Sequence, residues 1–209
     1  MTLSTPALAR LAAAARRPPP TEDEHCDLCG IAVPATHRHL FDLRARTVLC
    51  VCPACRILFD RGAAGGAHYR LIPERRSRLE DFDLGDQLWD QLGIPVSLAY
   101  LTTGDDGAML AVYPGVAGAA LSPVRTDVRD ALLAANPVMS ALVPEVEGIL
   151  VCRHRQPHQH FIVPMDDCYR LTGIIRTHWK GFSGGGTVWR EINHFIDDLG
   201  RAARATRRI

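Results

Sequence analysis

Two Cys-x2-Cys pairs, Cys26 and Cys29 in "CDLC" and Cys52 and Cys55 in "CPAC", constrain this chain more than any other feature. Each short turn aims two thiolates and several backbone N–H groups at one point, and two such turns facing each other complete a tetrahedron of sulfur around a metal ion. The chain has seven cysteines, an odd number, and five of them fall within residues 26–55. In a chain without a secretory pattern that density points to metal rather than to disulfides. Cys26, Cys29, Cys52 and Cys55 are therefore the expected metal ligands.

The run "TVLCVC" adds a fifth thiol, Cys50. On a strand, residues two apart face the same side, which would put Cys50 behind the site as a neighbour of Cys52 and not a member of the quartet. Only Cys52 has a partner at the x2 distance, so Cys50 is expected to be a spare, buried thiol. Cys152 and Cys168 stand apart in apolar surroundings and are expected to be packing thiols as well. His37 and His39 in "THRHLFD" have the spacing of a ligand pair, but with four cysteines at hand they are expected on a polar face.

Four thiolates suit zinc and a single iron equally well. Both knuckles are similar to those of rubredoxins. The second, however, is followed by Arg56 where a glycine would stand, and only Phe41 and Phe59 are near enough to build an aromatic cluster. Zinc is favoured, with iron as the alternative. A closed all-thiolate zinc site has no open coordination position, so it folds a ribbon and displays its surface without doing chemistry.

Four segments are expected: a flexible tail over 1–24, a four-cysteine zinc ribbon over 25–60, a Gly- and Arg-rich linker arm over 61–83, and an α+β domain over 84–209. In the last, Leu84, Leu88, Trp89 and Leu92 fall at helical spacing with Gly93 as the stop. "IPVSLAYL" and "AMLAVYP" are strands joined by "TTGDDG", whose Asp-Gly pair marks a hairpin. A Gly/Ala-rich crossing leads to "SPVRTDVRDALLAAN", a helix with a Ser-Pro cap, and "EGILVCR" and "HQHFIVP" are two more strands. Asp166 caps a helix that aligns Cys168, Leu171 and Ile175, and a final helix turns Val188, Ile192, Phe195, Ile196 and Leu199 inward. Strands with interspersed helices and a hairpin define a small ribbon plus a larger domain with a mostly antiparallel sheet, in an α+β fold and not a doubly wound one.

Several function classes find no support. The most apolar window, residues 107–124, is broken by Gly107, Pro114, Gly115, Gly118 and Pro123, so no membrane span is expected. The first twenty residues carry arginines inside and after their apolar run, the reverse of a secretory signal, which places the protein in the cytoplasm. A formal net charge of +1 argues against a dedicated nucleic-acid binder, although Arg70, Arg75, Arg76 and Arg78 could serve one. His154, His158 and His160 could form a second metal site with Asp166 or Cys168, but no carboxylate stands at a recognised spacing and a solvated strand end is expected. "WKGFSGGGTVW" lacks the Gly-Lys-Ser/Thr of a phosphate loop and is expected to be a tight interhelical turn. No residue names itself as catalytic, and the chain is more readily a binding protein than an enzyme.

The stretches "CDLCG", "HRHLFDLRARTVLCVCPACRILFD", "LWDQLGIPVSLAY" and "FIVPMDDCYRLTGIIRTHWKGFSGG" resemble an uncharacterised family of bacterial proteins encoded beside nickel-iron hydrogenase genes of the actinobacterial, high-affinity type. The resemblance runs over about residues 25–199. It implies an accessory role in making, assembling or serving the hydrogenase, with a hydrogenase subunit or maturation factor as the protein partner. It assigns no catalytic residue.

Overall fold

In a computed structural model the described residues are 24–59, 68–115, 118–181 and 184–206. The expected helix near the start of the chain lies outside them. The chain divides into two compact units, Met1–Pro73 and Glu74–Ile209.

The first unit is a three-stranded antiparallel sheet in the order β2-β1-β3, made of β1 (Arg38–Asp42), β2 (Thr47–Val51) and β3 (Tyr69–Leu71). The β1–β2 hairpin sets His39 opposite Cys50 and Leu40 opposite Leu49. Its turn is closed by Asp42, whose carboxylate accepts from the backbone N–H groups of Arg44 and Ala45, both at 2.8 Å. Side chains alternate across a sheet. Leu40, Leu49 and Val51 therefore share one face, where they pack with Cys26, Cys52 and Leu71, while His39 and Cys50 take the other. A one-turn helix, α1 (Pro53–Ile57), follows β2.

The second unit is built on a seven-stranded sheet in the order β10-β4-β9-β8-β5-β6-β7. Its strands are β4 (Ser77–Leu79), β5 (Leu98–Thr103), β6 (Met109–Gly115), β7 (Gly118–Pro123), β8 (Glu147–Cys152), β9 (Gln159–Pro164) and β10 (Arg204–Thr206). Every pairing is antiparallel except that of β10 with β4. The helices are α2 (Asp86–Gln91), α3 (Thr126–Ala135), α4 (Met165–His178) and α5 (Gly185–Ala202), with a 3-10 turn at Pro137–Ala141. This is the α+β architecture expected.

All of β8 and nearly all of β9 is buried, as befits strands covered on both faces. Val128 and Leu132 of α3 pack with Leu101, Ala111 and Ile149 on one face. Cys168, Leu171 and Ile175 of α4 meet Leu98, Tyr100 and Leu150 on the other. α5 buries Val188, Ile192, Phe195, Ile196 and Leu199, the stripe read from the sequence. At about 1.5–3 kcal/mol per buried side chain, such a stripe outweighs the weak intrinsic propensity of its helix.

Three expectations are corrected. Residues 69–71 and 77–79, placed in a linker arm over 61–83, are strands of the first and second sheets respectively. Each is three residues long, too short for its alternation to stand out in the sequence. The Gly/Ala-rich crossing after β6 is the strand β7, which pairs with β6 from Leu110 to Gly115. Ser122 and Pro123 end that strand instead of capping α3, whose N-cap is Arg125 with no side-chain cap bond.

Candidate metal centre

The first knuckle is a tight hairpin loop. Cys26 N–H donates to the Ile31 carbonyl at 2.7 Å and Gly30 N–H to the Cys26 carbonyl at 2.8 Å. Gly30 sits at φ +76°, in the left-handed region where a side chain is strained, which is why glycine follows Cys29. Asp27, inside the knuckle, clasps the second half of the ribbon. Its N–H donates to the Cys50 carbonyl at 2.9 Å, and its carboxylate accepts from Cys50 N–H at 2.6 Å.

The second knuckle is built differently. Cys52 is the N-cap of α1, with Pro53 at the first helical position, and its sulfur accepts from Cys55 N–H at 3.4 Å. Arg56 N–H donates to the Cys52 carbonyl at 3.0 Å. The chain leaves this knuckle as a right-handed helical turn, so no glycine is needed where Arg56 stands. The departure of position 56 from the rubredoxin-like pattern thus has a local cause and says nothing about the metal.

The two knuckles bring all four expected sulfurs together, each within 4.8 Å of the others. Cys29 and Cys52 are 3.8 Å apart sulfur to sulfur, the edge of a tetrahedron with metal–sulfur bonds of about 2.3 Å. Such a quartet could bind a metal ion. Cys26 and Cys52 are buried at 2% and 1% exposure, Cys55 is half-buried, and Cys29 is exposed. Burial opposes a charge on Cys26, but hydrogen bonds from the backbone N–H groups of Cys52, Leu28 and Cys29 outweigh it and bring its thiol down to about 6. The thiols of Cys29 and Cys52 hydrogen-bond to Cys55 and push it up to about 12. The thiol of Cys26 thus loses its proton more readily than those of Cys29 and Cys55, and a divalent ion would replace the protons that remain.

Behind the sulfurs lies a small apolar core of Leu40 and Val51 with Val33, Phe59, Tyr69 and Leu71. Phe59 and Tyr69 meet edge to face at 5.8 Å. Tyr69 was invisible as a core residue from sequence because β3 delivers it from beyond the knuckles.

Cys50 is buried but does not stand behind Cys52. The strand ends at Val51, so the two-residue parity no longer holds at Cys52, and by alternation Cys50 takes the face opposite Leu49 and Val51, which pack with Cys26 and Cys52. There it gathers with His37 and His39, and one ligand atom of each lies within 4.8 Å of the other two. Both histidines are half-buried. Among the described residues no third group of metal-ligating side chains comes together as closely. His154 bonds Asn193 at 2.6 Å, His158 bonds Gln156 at 2.7 Å, and His160 is buried against Phe82 with ring centroids 4.8 Å apart. Cys152 and Cys168 are held protonated, burial pushing Cys168 to about 12 and Cys152 also upward.

The Gly-rich turn joins α4 to α5: Lys180 N–H donates to the Gly184 carbonyl at 3.0 Å, and a Cβ on Gly184 would stand 2.8 Å from Val188 and 3.1 Å from Trp179. The basic arm is largely committed elsewhere. Arg75 forks onto the buried carboxylate of Glu147 at 3.0 and 2.7 Å, and Arg76 onto buried Asp167 at 2.6 and 3.0 Å. No described helix is long and apolar enough to cross a membrane.

One feature of the surface was not anticipated. Leu28, Ile31, Ile57 and Leu58, with exposures from 38% to 67%, are large apolar side chains in or beside the two knuckles. Their signal in the sequence is that "CDLCGI" and "CRIL" put aliphatic residues where a loop normally carries polar ones.

Fold and site together define an α+β protein with a four-cysteine cluster able to hold one metal ion. Residues 25–203 match the family described as "Family of unknown function (DUF5947)", and the chain belongs to that family. No curated protein and no solved structure matches.

Proposed function

We propose that the protein is a cytoplasmic zinc-ribbon accessory factor that acts by protein–protein contact in the maturation or assembly of a nickel-iron hydrogenase. The observation that carries the contact is the group of exposed aliphatic residues, Leu28, Ile31, Ile57 and Leu58, on the turns that hold the four cysteines. Set on both knuckles, these side chains would supply the apolar contact surface. A saturated zinc ion bound by Cys26, Cys29, Cys52 and Cys55 would hold those turns in place without reacting. The hydrogenase setting comes from the family resemblance of the sequence, and the partner expected is a hydrogenase subunit or maturation factor.

A second reading, a rubredoxin-like iron carrier or protector, draws on the same centre. The N–H bond to the Cys52 sulfur and the exposure of Cys29 would suit a redox iron. A DNA-binding regulator is disfavoured because Arg75 and Arg76 are paired with buried acids.

Anaerobic purification from the native host, followed by metal analysis and mass spectrometry of co-purifying proteins, tests the proposal. The expected result is a colourless zinc protein that brings down a hydrogenase subunit or maturation factor, and loses it on Ile57→Asp/Leu58→Asp substitution. A red iron protein with a reversible one-electron couple would transfer the case to the second reading.

A further inference from the structure

We propose that the first unit holds a second metal site, made by His37, His39 and Cys50 and taking a borderline-soft divalent ion of the zinc type. Two of the three donors come from strands in register: His39 of β1 lies directly opposite Cys50 of β2, and His37 stands one residue before β1 begins. One ligand atom of each already lies within 4.8 Å of the others. Tetrahedral ligation needs separations of roughly 3.3–3.7 Å, so binding would draw the three donors closer together.

His37 gives the independent sign of a ligand. Its Nδ1 is 2.9 Å from the Pro34 carbonyl. A carbonyl only accepts, so Nδ1 carries a proton and Nε2 is the nitrogen that would face a metal. This is the arrangement in which a metal-bound histidine donates its other N–H to a backbone carbonyl. Nε2 is buried without a hydrogen-bond partner, on a side chain only 4% exposed. The Glu24 carboxylate, 3.6 Å from Nε2, puts a negative charge beside the cluster where a cation would sit.

The donor set differs from the quartet in a way that matters. Two imidazoles and one thiolate fill three corners of a tetrahedron, the protein ligand count of a zinc that can bind a further group, whereas four thiolates close theirs. The two sites share no ligand, so each can be removed without deleting a ligand of the other.

Anaerobic titration of the metal-free full-length protein with Co2+, and displacement by Zn2+, tests the site. The expected result is two equivalents per chain, the second with d–d bands at shorter wavelength because nitrogen replaces sulfur. His39→Gln should lose only the second equivalent and Cys29→Ser only the tetrathiolate signal, so failure of this site and failure of the quartet give different results. As a readout that needs no variant, the second equivalent of Zn2+ should shift the imidazole 15N resonances of His37 and His39 in wild-type protein. Saturation at one equivalent with those resonances unmoved, or two equivalents retained in both His39→Gln and Cys50→Ala, overturns the proposal.

Discussion

His160 is the residue whose chemistry the fold has most visibly altered. Burial, with smaller contributions from His158 and Arg153, lowers its pKa from 6.5 to about 4, and its Nε2 has no hydrogen-bond partner. The unfolded chain therefore binds a proton in a range where the native state does not. Stability from this group is complete above about pH 6.5 and is lost as pH falls toward 4, by up to about 3 kcal/mol. Denaturant melts of the larger unit at pH 7.5 and pH 5 should show the decline, and His160→Leu should flatten it. The sequence placed His160 on the right strand but could not show that β4 and Phe82 would cover it. Cys26, Cys29, Cys52 and Cys55 were legible because x2 spacing is a local property; the position of Cys50 was not, because it depends on where a strand ends.

At the scale of elements, the adjacent pair Arg75 and Arg76 shows how β4 is secured. Arg75 reaches Glu147 at the start of β8, and Arg76 reaches Asp167 in the first turn of α4, so two neighbouring residues tie the strand to a second strand and to a helix. Glu147 also accepts from Val143 N–H at 2.9 Å and is 1% exposed. Arg75→Ala would leave that buried carboxylate without its cation, and because Arg75 is itself 39% exposed the cost falls below the ~3–5 kcal/mol of a fully buried pair. Thermal unfolding of the variant should fall well below wild type, whereas replacing exposed Arg190 should change little. The four strands and the helices with apolar stripes were legible because their periodicity runs over five or more residues. β3, β4, β7 and β10 were not, since they are short or built of small residues and exist through the neighbours they pair with.

Across the whole molecule, the two units differ in what stabilises them. The larger has a sheet buried on both faces, while the smaller has a core of a few side chains gathered around sulfur. Domains of so few residues usually depend on a metal or a disulfide. If the quartet holds an ion, removing it with a strong chelator should therefore unfold the first unit alone, seen as loss of amide protection over residues 24–59 in hydrogen exchange with the seven-stranded sheet unchanged. Loss of protection in both units together would show that they fold as one. The rim of the larger sheet has a consequence for synthesis. β10 lies beside β4, with Arg204 paired to Ser77, whereas β5–β6, β6–β7 and β8–β9 join neighbours along the chain. On the ribosome those hairpins can form as they emerge, but β4 must wait beside an open edge until nearly the whole unit has been translated, which makes that interval the one in which a nascent chain is most exposed to pairing with the wrong strand.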